Sequence, residues 1–174
     1  MISLIQGDLF EACTDAIIMT IDGMRRSLEG NIARQFAKKW PDVWAEVDDE
    51  LSYPIPFGNV FDYTPVAECP FKLLLIAATL PHSGNLKDSY LKGVVRSAVV
   101  ESIMRSADYG IDRIALALMV GGWRLTHDKA FIAMAEGYES VQHAMRKQIE
   151  MNIYIPDQQQ YLHIRAVADS MGWK

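Results

Sequence analysis

The hydrophobic positions fall into short apolar runs separated by longer amphipathic stretches, which predicts strands that alternate with helices. The apolar runs predict strands at 2–5, 15–21, 59–63, 72–78, 113–119 and 151–155. The amphipathic stretches predict helices at 29–40, 42–51 and 85–109, with two more starting near 126 and 157. Continuous apolar strands joined by helices are typical of a parallel sheet covered on both faces. We therefore predict a three-layer α/β/α sandwich with a mixed, largely parallel central sheet.

Local signals set the ends of several predicted helices. The longest helix carries an apolar stripe at helical spacing, formed by Leu86, Tyr90, Val94 and Ala98. Gly110 lies where a glycine C-cap belongs. Thr126 is a candidate N-cap for the fourth helix, and Asp157 for the last, with Gln160 three residues after it.

The length and net charge of the chain limit the kinds of function that we expect of it. The chain has 174 residues, of which 50% are hydrophobic and 22% charged, so we expect one domain, 1–174, with a filled core. A net charge of -5 gives no overall attraction to DNA, RNA or anionic membranes, so no intrinsic nucleic-acid footprint is expected. A single nucleotide remains a possible ligand, because backbone N–H groups at helix starts can hold phosphates.

The remaining composition predicts neither a metal nor a cofactor. The two cysteines, Cys13 and Cys69, cannot form a disulfide framework, and no Cys/His spacing resembles a zinc site. The first residues carry no signal-peptide pattern, and no apolar run is long enough to cross a membrane. The cytoplasm is the expected location.

The loops that follow the predicted strands are the expected place for a ligand, because parallel sheets bind ligands at the carboxyl ends of their strands. These loops are 22–29, 79–84 and 120–125. His82 and His127 fall in or beside them and are the two histidines to mutate, although solvent-exposed loop positions are the simpler interpretation.

Several segments in this order resemble the macro domain, a family that binds ADP-ribose. They are Gly7-Asp8-Leu9, Asp15 to Ile18, Gly58 to Phe61, Leu86 to Leu91 and Ile114 to Gly122. The helix from Ile32 to Pro41 is most similar to the branch that includes the terminal ADP-ribose–glutamate hydrolase and the antitoxin that removes ADP-ribose from DNA. The resemblance covers about 1–155, with a terminal helix over 157–171.

The resemblance implies a set of nucleotide-binding residues. Asp8, with Leu9 in the same turn, would read the adenine amino group, although a turn cap is the alternative. The remaining positions would lie around the phosphates and the distal ribose, with the Trp123 ring packed on that ribose: Gly30, Asn31, Gly121, Gly122, Trp123 and Arg124. Trp123 has a second interpretation as a cover for the sheet edge.

Two residues are candidates for catalysis. Lys87 occupies the position of the branch's nucleophilic lysine, although a surface lysine is the simpler interpretation. Asp22 stands where hydrolytic macro domains carry an asparagine, and the triple glycine expected after it is replaced by Met24-Arg25-Arg26. The loop after Gly122 has no acid, so both family routes to hydrolysis look incomplete.

Three functions stay open on this pattern. The chain binds ADP-ribose or a related nucleotide, or it removes ADP-ribose from an ADP-ribosylated macromolecule, or it is a scaffold that acts through protein contacts. Fold alone does not decide among them, because function depends on the site.

Overall fold

The computed structural model describes residues 1–24, 30–80, 86–122, 124–145 and 148–173. Within these ranges, no helix combines the length and the apolar composition that a membrane span requires. The predicted residues that fall outside them are Arg25, Arg26, His82 and Trp123.

The centre of the fold is a six-stranded sheet with the order β1-β6-β5-β2-β4-β3. Its strands are β1 (Ile2–Gln6), β2 (Ala16–Ile21), β3 (Val60–Tyr63), β4 (Leu73–Ala78), β5 (Arg113–Ala117) and β6 (Glu150–Ile155). All neighbouring pairs are parallel except β3 with β4, which is antiparallel. The predicted mixed, largely parallel sheet is confirmed.

Helices cover both faces of the sheet. The helices are α1 (Asn31–Lys39), α2 (Pro41–Glu50), α3 (Asp88–Asp108), α4 (His127–Gln142) and α5 (Gln158–Ser170). One apolar cluster joins the sheet to α3, α4 and α5, and a second joins its opposite face to α1, α2 and the short 3₁₀ helix Leu9–Glu11. The three-layer sandwich is therefore confirmed.

An aromatic cluster fixes α1 and α2 against the sheet. Phe36 of α1 lies 4.9 Å from Trp40, measured between ring centroids, and Trp40 also contacts Phe10 and Phe71 edge-on. Pro41 then opens α2 at its first position, where a missing backbone N–H costs nothing. This packing fixes the C-terminal end of α1 and the start of α2 in the apolar cluster on this face of the sheet.

The structure differs from the prediction in some element ends, in one position of an apolar stripe and in one helix cap. β5 ends at Ala117, two residues before the predicted end, because the apolar run continues into a turn that does not pair with a neighbouring strand. Tyr90 was wrongly placed in the apolar stripe of α3, since its side chain is 51% exposed. Thr126 precedes α4 but makes no side-chain cap hydrogen bond, whereas the predicted Asp157 cap is confirmed by a 2.7 Å bond from the Gln160 N–H.

Candidate functional site

A cleft of about 330 Å³ opens where β2, β5 and β6 end at the same edge of the sheet. The starts of α1, α4 and α5 surround it. The lining residues are Thr20, Gly30, Asn31, Ile32, Arg34, Leu80, Ala117, Leu118, Val120, Gly121, Gly122, His127, Tyr154, Ile155, Pro156 and Gln160.

Gly30 explains how α1 approaches this edge so closely. It is the N-cap residue, with φ of 146°, in a region that favours glycine. A Cβ atom at this position would lie 2.3 Å from the backbone oxygen of Thr20 at the end of β2. No side chain caps α1, so the backbone N–H groups of its first turn are left for another acceptor.

A glycine turn follows β5 at the edge of the cleft. Gly121 and Gly122 have φ of 56° and 66°, which bends the chain back before α4. Both line the cleft, and α4 begins nearby without a side-chain cap hydrogen bond. At α4, the Asp128 carboxylate accepts hydrogen bonds from the Asp128 and Lys129 N–H groups. The start of α1, which no side chain caps, is therefore the helix end that offers partial positive charge to the cleft.

The wall on the β6 side is formed by Tyr154, Ile155 and Pro156. The Gly7 N–H donates to the Ile155 oxygen over 3.3 Å, which joins the end of β1 to this wall. Burial raises the pKa of the Tyr154 phenol, so the hydroxyl stays neutral at ordinary pH. This wall offers an aromatic and apolar surface beside the polar turns.

The charge of the cleft differs from that of the whole chain. Its described lining holds two residues that can carry positive charge, Arg34 and His127, and no carboxylate. The chain as a whole has a net charge of -5. An anionic ligand is therefore favoured locally by charge and by backbone dipoles.

The structure brings four of the predicted binding residues together in the cleft. These are Gly30, Asn31, Gly121 and Gly122.

The other predicted binding residues lie outside the described lining. Asp8 is exposed and follows Gly7, and its Oδ1 accepts the Phe10 N–H over 2.9 Å, so it does cap the 3₁₀ helix. The Leu9 side chain is buried in the core beside α1. Arg124 is exposed, and its backbone N–H donates to the Val120 oxygen over 3.0 Å.

Neither catalytic candidate lines the described cleft. Asp22 is 1% exposed, and its Oδ1 accepts the Met24 N–H over 2.8 Å just after β2. Lys87 is exposed and precedes α3 as its N-cap residue. The neighbouring Asp88 pairs with Lys129 over 2.6 Å, which lowers the pKa of Asp88.

Sequence reasoning missed several cleft residues that belong to regular elements. Arg34, Tyr154 and Gln160 line the cleft from α1, β6 and α5. Arg34 follows Asn31 by three residues, so helical spacing from that predicted binding residue would have found it. No comparable signal marks Tyr154, because every second residue of a strand faces the same side.

Known proteins resemble this chain in fold rather than in sequence. No protein-family model matches the sequence, and no curated protein matches it. Among solved structures, the macrodomain of Mycobacterium tuberculosis DarG shares 18% identity at a TM-score of 0.70, over 90% of this chain and 99% of that one. A mutant macrodomain from Oceanobacillus iheyensis gives a TM-score of 0.82 at 10% identity, over 98% and 92%. The chain has the macrodomain fold.

A third macrodomain structure shows the same likeness. The Trypanosoma brucei macrodomain in complex with ADP gives a TM-score of 0.76 at 12% identity, over 96% of this chain and 68% of that one. The fold implied by the sequence resemblance is thus confirmed. The particular branch suggested by the first helix stays a prediction.

Proposed function

We propose that the cleft binds ADP-ribose or a related nucleotide. The observation that carries this proposal is the uncapped start of α1 beside a glycine turn, around a described lining that holds no carboxylate. Structures of the same fold from Trypanosoma brucei and Oceanobacillus iheyensis are described as complexes with ADP, which supports a nucleotide in this position.

The proposed ligand lies across the cleft from α4 to β6. Its diphosphate accepts hydrogen bonds from the backbone at 30–32 and 121–122, where the N–H groups lack side-chain caps. Its adenine lies against Tyr154 and Pro156, with Asp8 beyond them to accept a hydrogen bond from the amino group. Trp123 and Arg124 are proposed to lie near the distal ribose. A volume of about 330 Å³ is at the lower end of the range of about 300–1,000 Å³ for small-molecule sites.

A thermal-shift titration with ADP-ribose, AMP and NAD tests the proposal. Ligand at 100 times its dissociation constant adds about 2.7 kcal/mol to the stability of the native state. For a chain of this length, that corresponds to a rise in melting temperature of about 5–11 °C. We expect this rise with ADP-ribose, and no shift with any of the three ligands would favour the scaffold function instead.

The Asp8→Ala variant tests the proposed contact with adenine. Loss of a hydrogen bond to the adenine amino group should weaken ADP-ribose by about 1–3 kcal/mol and leave ribose 5-phosphate almost unchanged. Equal weakening of both ligands would assign Asp8 to the 3₁₀ cap alone.

Removal of ADP-ribose from a macromolecule is the second candidate function. A buried carboxylate, Asp22, directly follows β2, whose end lines the cleft, and this position favours the candidate. A positioned water or lysine is required for the reaction, and neither Asp22 nor Lys87 lines the described cleft. We therefore expect slow hydrolysis or none.

Release of ADP-ribose from mono-ADP-ribosylated protein and from ADP-ribosylated DNA tests this second function. Fast release abolished by Lys87→Ala would support the lysine route, and fast release lost only with Asp22→Ala would support a water oriented by a carboxylate. Binding without release supports the binding function.

We propose that the chain acts as one domain, 1–174, in the cytoplasm.

A further inference from the structure

Arg34 is a cation in the described lining of the cleft. Its side chain lines the cleft from α1 and is exposed. The Arg34 side chain forms no hydrogen bond or ion pair with the residues that the structure describes, and its backbone N–H donates to the Gly30 oxygen over 3.0 Å. Other arginines are used structurally: Arg96 pairs with Glu136 at 2.5 Å, and Arg105 pairs with Asp62.

Helix geometry directs this side chain toward the start of α1. Arg34 follows Asn31 by three residues, so the two lie on the same face of the helix. Side chains of an α-helix point back toward its N-terminus. The guanidinium therefore extends toward the uncapped N–H groups that follow Gly30, where the proposed diphosphate lies.

We propose that Arg34 is a specificity-determining residue, whose guanidinium contacts a phosphate of the bound nucleotide. The inference rests on the proposed function of the cleft and adds a charge requirement to it. A guanidinium presents two parallel N–H donors that match the oxygens of a phosphate, which a lysine ammonium cannot reproduce. The ligands favoured are nucleoside diphosphates, then monophosphates, then neutral nucleosides.

The charge around Arg34 supports this order. His127 is the other described lining residue that can become positively charged, and the described lining holds no acid to neutralise Arg34. Because Arg34 is exposed, dissolved ions screen its attraction to a phosphate, most strongly beyond the Debye length of about 8 Å at physiological ionic strength. Binding should therefore weaken with added salt, and this dependence should become flatter without Arg34.

Calorimetric titration of four probes tests the inference. ADP-ribose, ADP, adenosine and inorganic pyrophosphate are titrated into the wild-type chain and into Arg34→Gln, Arg34→Lys and Lys38→Gln. Lys38 is the matched control, because it is an exposed residue of the same helix, carries the same charge and does not line the cleft. Circular dichroism confirms that each variant is folded.

We expect Arg34→Gln to weaken ADP-ribose, ADP and pyrophosphate about 10-fold or more, the usual effect of losing a hydrogen bond to a charged group. Adenosine should be unaffected, Lys38→Gln should change each affinity less than twofold, and Arg34→Lys should fall between. An Arg34→Gln variant that matches Lys38→Gln, or that weakens adenosine equally, would overturn the inference.

The pyrophosphate probe separates this inference from the proposed function. Wild-type binding of pyrophosphate without any nucleotide would reject nucleotide binding, while the Arg34 variants would still report on the phosphate contact. Nucleotide binding that is insensitive to Arg34→Gln would reject the inference alone. Failure to bind any probe would reject both.

Discussion

Replacement of Gly30 by alanine tests the close approach of α1 to the end of β2. The new Cβ would lie 2.3 Å from the Thr20 backbone oxygen and 3.2 Å from the Leu80 Cδ1. Real Cβ contacts are essentially never shorter than 3.0 Å, so either α1 or β2 must move by several tenths of an ångström. The φ of 146° adds strain of about 1–3 kcal/mol for a residue with a side chain.

Together these terms predict that Gly30→Ala lowers the free energy of unfolding by at least about 2 kcal/mol. The corresponding fall in melting temperature is about 4–8 °C for a chain of this length. Gly93→Ala is the matched control, because Gly93 lies in α3 with no atom within 4 Å of its added Cβ. Alanine in a helix should raise the stability there by about 1 kcal/mol.

Urea denaturation measures both changes, and titration of ADP-ribose measures the effect on the cleft. We expect Gly30→Ala to weaken binding, because displacement of α1 moves its first N–H groups away from the diphosphate. A Gly30→Ala variant with the stability and affinity of the wild type would refute the reasoning. It would show that the start of α1 adapts to a side chain without loss.

Three further predictions concern side chains that do not line the described cleft. Ser102 is buried in α3, and its hydroxyl has no hydrogen-bond partner among the described residues. Ser102→Ala should therefore raise the free energy of unfolding, measured in urea, by about 1 kcal/mol. A loss of stability would contradict this prediction. The Glu46 carboxylate accepts the Val66 and Ala67 N–H groups, which lowers the pKa of Glu46. The stabilisation that the ionised Glu46 provides should therefore be present at neutral pH and lost as the pH falls through that lowered pKa. The difference in melting temperature between the wild type and Glu46→Gln should then shrink in acid, and a constant difference would contradict this. Asp157→Ala should lower the free energy of unfolding by about 1 kcal/mol, because α5 loses its cap. Asp157→Asn should lower it by much less, since the asparagine side chain still caps the helix. Equal losses for the two variants in urea would argue against the cap.

Local periodicity was sufficient to predict the layers of the fold. Each strand and helix is covered by an apolar pattern whose spacing is set by backbone geometry, so the elements follow from neighbouring residues alone. The end of β5 was predicted less well, because the apolar run continues through Leu118 and Met119 after strand pairing has stopped. Strand pairing depends on a partner from elsewhere in the chain, which local hydrophobicity does not report.

Some residues of the candidate site could be predicted from the sequence, and others could not. The pair Gly121-Gly122 could be predicted, because it follows an apolar strand where a tight turn favours glycine. Gly30 was predicted from the family resemblance. Arg34 was missed, although its helical spacing from Asn31 indicates the same face of α1. Tyr154 could not be predicted, because the face of β6 that meets the cleft is decided by how whole elements pack. The Asp8 cap was foreseen as one of two roles, since Asp caps turns without any tertiary contact.

Calorimetric titration of ADP-ribose into the wild-type chain is the most direct test of the proposed nucleotide site. The geometry of the cleft predicts one ligand per chain with a dissociation constant in the micromolar range, which corresponds to about 8 kcal/mol of binding free energy. Such an affinity requires the diphosphate and the adenosine to be held together. The absence of binding heat at several temperatures, with a protein shown to be folded by circular dichroism, would contradict the account.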